Sequence, residues 1–231
     1  MTASASPTVK TALHAIEAAL RAQADPERAV GMQAYMKNQF VFLGIPATAR
    51  RQALQGLLLA DFETAQWLEL ADCLWEKPER EFRYTAVDLL GKHHRQLDLD
   101  TLPHLLNLVQ RDAWWDTVDA LAGVIGDVLL QARRQDPGVQ RLMDAALEHA
   151  NLWVRRVAML HQLGWKTHTD EARLYRYALA LAAEPGFFIR KAIGWALRDY
   201  ARVQPDGVRE FLQCNKDVLS PLTRREAGKH L

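Results

Sequence analysis

Apolar residues recur at three- and four-residue spacing along most of the chain. KTALHAIEAAL (10–20), DAALEHANLWVRRVAMLHQL (144–163) and RLYRYALALAA (173–183) each lay an apolar stripe down one side of a helix. Alternation of period two is scarce and no Asn-Gly pair marks a hairpin turn, so the pattern predicts an all-α protein. Pro46, Pro78, Pro185 and Pro221 each fall three to five residues before an arginine that opens a periodic segment, a placement that suits a helix start.

The arginines carry a longer period. With Arg50, Arg83, Asp116, Arg155, Arg190 and Arg224 as one column, the successive spacings are 33, 33, 39, 35 and 34. That period belongs to helical-hairpin solenoids of the HEAT or armadillo kind, whose units bury their apolar faces only by stacking on one another. The expectation is a HEAT-like solenoid of about six units, one domain over residues 1–231, with residues 1–30 as an N-terminal helical cap. Three positions after each column member stand Ala53, Ala86, Asp119, Ala158, Ile193 and Ala227. Five of the six are small or aliphatic, so this is a packing slot, and Asp119 breaks it.

One position after the first column come Arg51, Tyr84, Thr117, Arg156, Lys191 and Arg225. Equivalent positions of a solenoid line up, so the two columns predict a basic stripe containing Arg50, Arg51, Arg83, Arg155, Arg156, Arg190, Lys191, Arg224 and Arg225. Residues 190–231 add to it with nine Lys or Arg against five Asp or Glu. Such a stripe neutralises DNA phosphates without regard to sequence. The whole chain gives no such signal, since 29 basic against 28 acidic residues leave a formal charge of +1. Composition otherwise describes an ordinary globular chain, 49% hydrophobic and 25% charged. No apolar run approaches the roughly 18 to 20 residues that span a bilayer, and MTASASPTVK lacks a secretory layout, so a cytoplasmic protein is expected. Cys73 and Cys214 are read as core-packing thiols.

A buried carboxylate costs several kcal/mol unless hydrogen bonds or a charge offset it, so Asp119 needs a reason. One reason is structural: it caps a helix or pairs with an arginine of the adjacent repeat. The other is chemical. Trp115 lies one turn before Asp119 on the same face, and Trp195 stands two units later, near the start of its helix. Each tryptophan alone reads as core; together with the carboxylate they suit a cationic substrate. His93, His94, His161 and His168 lack partners at metal-ligand spacing, and P-loop, GxSxG and GxGxxG motifs are missing, so neither metal nor cofactor is expected.

YMKNQFVFLGIPATARRQAL (35–54), WEKPEREFRYTAVDLL (75–90), WWDTVD (114–119), NLWVRRVAMLHQL (151–163), FFIRKAIGWALRDYA (187–201) and SPLTRREAGKHL (220–231) together resemble the AlkD-type DNA alkylation repair family. The resemblance implies a right-handed superhelical solenoid of HEAT-like repeats acting as a DNA glycosylase on N3- and N7-alkylated purines in double-stranded DNA. It also implies Asp119 as the catalytic carboxylate, with Trp115 and Trp195 lining the lesion site. Arg156 would hold a backbone phosphate and Tyr35 would edge the same cleft. Arg50, Arg51, Arg155, Arg190, Lys191, Arg224 and Arg225 are the further DNA-binding candidates. The enzyme would be a monofunctional, cofactor-free monomer, nucleoid-associated when bound to DNA. Two rivals stay open: a non-catalytic relative that binds distorted or branched DNA, and a protein-binding scaffold with an apolar or acidic concave face.

Overall fold

A computed structural model describes residues 5–57 and 62–231. The described residues are all-α, with a single isolated bridge between Val41 and Glu79. The helices are α1 (Pro7–Arg21), α2 (Pro26–Tyr35), α3 (Ala47–Ala53), α4 (Thr64–Trp75), α5 (Arg80–Lys92), α6 (Leu102–Gln110), α7 (Trp115–Ala132), α8 (Arg141–Leu147), α9 (Leu152–Leu160), α10 (Glu171–Ala180), α11 (Phe187–Ala201), α12 (Pro205–Cys214) and α13 (Pro221–Ala227). Among the described residues no helix is long and apolar enough to cross a membrane. The starts follow local chemistry: Asp25, Asn151, Asp170 and Ser220 cap α2, α9, α10 and α13 by accepting from backbone N–H groups. Pro26, Pro205 and Pro221 occupy first-turn positions where their missing N–H costs nothing.

The arginine column marks a structural register. Arg50, Arg83, Arg155, Arg190 and Arg224 are each the fourth residue of α3, α5, α9, α11 and α13. Asp116 is the second residue of α7, because Trp114 is extended backbone and delays that helix. α2 to α13 thus fall into six consecutive pairs, preceded by α1.

The chain divides into two compact units, Met1–Leu97 and Asp98–Leu231. In the first, α1 packs on α4 and α3, and α4 on α5. Glu81, fully buried, accepts from the N–H groups of Leu43 (2.9 Å), Gly44 (2.8 Å) and Ile45 (3.1 Å), which ties the approach to α3 onto α5. In the second unit α7, α9, α11 and α13 pack in succession, with α6 against α7, α8 against α9, α10 against α9 and α11, and α12 against α11. This is the two-layer stacking of helical repeats. Val118, Leu121, Ile125 and Val128 of α7, Val154, Val157 and Ala158 of α9, and Ile189, Ala192, Ile193 and Leu197 of α11 form its core at three- and four-residue spacing.

Two glycines set how closely these helices approach. A Cβ on Gly126 would lie 2.0 Å from the carbonyl oxygen of His161, just past α9, and a Cβ on Gly194 would lie 2.5 Å from the Cβ of Glu226 on α13. Only hydrogen fits at either place. One expectation fails: Cys73 is half-buried, and Cys214, the last residue of α12 and beyond its buried Val208 and Phe211, is exposed.

Candidate active site

Asp119 projects from the second turn of α7, one turn beyond Trp115, and its side chain keeps 21% of its surface exposed. The equivalent Ala86, Ala158, Ile193 and Ala227 are fully buried. The slot is therefore a closed packing position in four of the other five repeats, Ala53 being partly exposed, and Asp119 places a carboxylate there that reaches solvent. The Asp119 carboxylate faces the Arg156 guanidinium in a two-pronged pair, with Nε donating to Oδ1 (2.6 Å) and Nη2 to Oδ2 (2.8 Å). Planar fork and carboxylate match in geometry, so the pair fixes the orientation of both oxygens.

Arg156 itself is 1% exposed. Its Nη1 donates to the carbonyl of Phe188, and its Cζ lies 5.1 Å from the ring centre of Trp195. The family resemblance gives this arginine a DNA phosphate; within the protein its donors go to Asp119 and to the backbone of α11. The pairing of Asp119 with an arginine of the next repeat is the structural reading entertained for it, realised here with the carboxylate still reaching solvent. Burial pushes the Asp119 carboxyl upward from its ordinary value; the hydrogen bonds and charge of Arg156 oppose this, and the balance is upward.

Trp195 sits at the ninth position of α11, mid-helix and not near its start. Its ring centre lies 5.1 Å from the Lys191 ammonium as well as from Arg156, and its Nε1 donates to Glu226 Oε2 at 3.2 Å. Trp115, Asp119, Arg156, Lys191 and Trp195 thus belong to one unit and to the three successively packed helices α7, α9 and α11.

The predicted stripe is largely a row of ion pairs. Arg50 and Arg51 both hold Asp88 (2.7 and 2.9 Å), and Arg50 is buried. Arg155 grips Glu184 with two donors and gives Nη1 to the carbonyls of His149 and Ala150. Arg190 donates to the Glu184 carbonyl, and Lys191 pairs with Glu226 at 3.0 Å. Arg83 is buried. Arg224 and Arg225 are exposed, and no ion pair engages them among the described residues. Tyr35 ends α2 and is 71% exposed, in the unit of Met1–Leu97. The stripe fails as a continuous free charge because a guanidinium at a helix contact is costly without a carboxylate partner.

Sequence reasoning missed an aromatic row beside this pair. Trp114, Trp153 and Phe188 contact one another, with ring centres 4.9 to 5.9 Å apart. The signal was available: two positions before the arginine column stand Thr48, Glu81, Trp114, Trp153, Phe188 and Leu222. Among the described residues no group of three His, Cys, Asp or Glu side chains is placed to hold a metal ion.

Stacked helical pairs that present a carboxylate clamped by a buried arginine, with an indole against that arginine, define a helical-repeat protein with a built polar site across α7, α9 and α11. The comparisons give the family: residues 16–231 match the model of the DNA alkylation repair enzymes, and the chain belongs to that family. A predicted DNA alkylation repair enzyme from Enterococcus faecalis is similar at 34% identity and a TM-score of 0.83, covering 90% of this chain and 97% of that one. Two Streptococcus mutans structures share the fold at 21% identity: smu.31 (TM-score 0.59, 75% of this chain, 87% of that one) and AlkD2 (0.58, 75% and 84%). No curated protein matches the chain. DNA alkylation repair, and with it DNA binding, is the coarse function.

Proposed function

We propose that the protein is a monofunctional DNA glycosylase that hydrolyses the N-glycosidic bond of positively charged N3- and N7-alkylated purines in duplex DNA. The observation that carries this reading is Asp119: a carboxylate in a hydrocarbon slot, oriented by Arg156, one turn from Trp115 and open to solvent. Departure of the base builds positive charge on the sugar, and a fixed carboxylate stabilises it. An N3- or N7-alkylated purine already carries positive charge, so it leaves without a proton from the protein and one carboxylate suffices. Asp119 opposes the sugar charge and orients or deprotonates the attacking water, while the faces of Trp115 and Trp195 favour the same cation. Arg156 keeps the carboxylate in place, and Arg224 and Arg225 are free to meet phosphates.

The test is release of free base from duplex DNA containing N7-methylguanine, compared with Asp119→Asn. The variant is expected to lose roughly a hundredfold to a thousandfold in rate while still binding DNA. Binding without release by either form would instead support a non-catalytic protein that recognises distorted DNA. Absence of DNA binding would leave the scaffold reading. Release of neutral oxidised or deaminated bases at a similar rate would contradict the proposal, since nothing in it protonates their leaving group.

A further inference from the structure

Glu226 of α13 repeats the anomaly of Asp119. Two positions after each column member stand Gln52, Thr85, Val118, Val157, Ala192 and Glu226. Val118, Val157 and Ala192 are buried core, Thr85 is buried with its hydroxyl on the Glu81 carbonyl, Gln52 is exposed, and Glu226, 3% exposed, is the one charged side chain in that slot. It gathers four partners: Lys191 (3.0 Å), Arg198 (3.2 Å), Lys229 (2.9 Å) and the Trp195 indole N–H (3.2 Å). Gly194, the residue before Trp195, is what lets α13 come close enough for this. Thr223 Oγ1, donating to the Arg190 carbonyl at 3.1 Å, holds the same two helices together.

These interactions form one line: Glu226 holds Trp195, the Trp195 ring packs on Arg156, and Arg156 holds Asp119. We propose, on the glycosylase reading above, that Glu226 is a positioning residue that fixes the Trp195 indole and neutralises the Lys191 ammonium lying on its ring. A ring face attracts cations through its quadrupole, and an uncompensated ammonium on Trp195 opposes the positive charge that develops on the sugar. With Glu226 present, its Oε1 lies against the Lys191 ammonium and offsets the charge next to the Trp195 ring, which keeps its attraction for the transition state. Lys191 is then a partner of Glu226 first, and its charge reaches DNA only when that carboxylate is removed.

Glu226→Gln keeps an acceptor for the indole and removes the charge. Single-turnover release of N7-methylguanine is expected to fall roughly tenfold or more. DNA affinity moves the other way, the release of Lys191, Arg198 and Lys229 raising the salt dependence of binding by about 0.9 in log–log slope for each of them that meets a phosphate. Damage to the fold would weaken both. Adding Lys191→Gln to Glu226→Gln removes the stray ammonium and restores turnover to within about threefold of wild type, a residual of the order of one weakened hydrogen bond. Glu226→Asp is the second variant: it keeps the charge, and so the wild-type affinity and slope, and loses turnover because the shorter arm leaves the indole. Trp195 emission, obtained as wild type minus Trp195→Phe, shifts in Glu226→Gln whether or not the protein has activity. Wild-type turnover in Glu226→Gln, or no rescue in the double variant, overturns the proposal. An inactive wild type refutes the glycosylase reading, and the emission difference then decides the placement of Trp195 by Glu226.

Discussion

His161, at the C-terminal end of α9, is completely enclosed, and its two ring nitrogens have fixed roles. Nδ1 faces the Ala158 carbonyl at 2.7 Å and must donate, so Nε2 accepts from the Gln140 amide at 3.0 Å. Burial pushes its pKa down to about 4, since no carboxylate touches the ring to offset the loss of solvent. A histidine held neutral in the fold leaves stability untouched above the unfolded value near 6.5, and costs progressively more as pH falls from there toward 4. Denaturant unfolding at pH 7 and pH 4 should therefore differ by on the order of 3 kcal/mol from this group. His161→Gln, which does not titrate, should flatten that slope. Asp119 gives a different acid signature. Its carboxyl is raised above 3.8, so the acid limb of base release should fall off above the ordinary carboxylate value, and a pH profile of single-turnover rates measures it. Asp119 was legible because it stands in a column of alanines. Its clamp was not: Arg156 reads as a surface phosphate ligand, and only the packing of α9 on α7 shows it to be buried.

At the level of helices, the interatomic gaps at Gly126 and Gly194 decide where the side chains of the site arrive. Gly194→Ala places a methyl against the Glu226 side chain and the Thr223 carbonyl, and overpacking of this kind costs about 1 to 3 kcal/mol. The expected result is a lower thermal midpoint together with the Trp195 emission shift of Glu226→Gln. Gly126→Ala meets the His161 carbonyl and separates α7 from α9, which stretches the Asp119–Arg156 pair; base release should fall with little change in DNA affinity. Helix pairing and register were readable from the chain because five of the six stacked pairs carry an arginine at the fourth position of their second helix. The delayed start of α7 and the acidic partners Asp88, Glu184 and Glu226 were not readable, since those carboxylates pair with their cations at no constant offset in sequence. The aromatic row was periodic and went unread, because tryptophan in a solenoid is ordinarily core.

Over the whole molecule, near-neutral composition and a row of arginines are compatible because most of the row is spent on internal carboxylates. The charge left for phosphates is smaller than the arginine count suggests, and it is not spread evenly. Removing Arg224 and Arg225, which no carboxylate engages among the described residues, should lower the salt slope of DNA binding by about 0.9 for each phosphate that goes unneutralised. Arg155→Ala should leave the slope nearly unchanged and instead reduce stability, because it unties Glu184 and the loop after α8. Titrating affinity against salt for the two variants separates a DNA ligand from an internal strut.

The machinery also constrains how such a chain can change. Asp119, Arg156, Trp195 and Glu226 come one each from α7, α9, α11 and α13. Repeat arrays ordinarily grow or shrink by whole modules, since each module touches only its neighbours. On the glycosylase proposal no module owns the site, so gaining or losing a hairpin anywhere from α7 to α13 dismantles this set of contacts. Changes of array length are tolerable only outside that block.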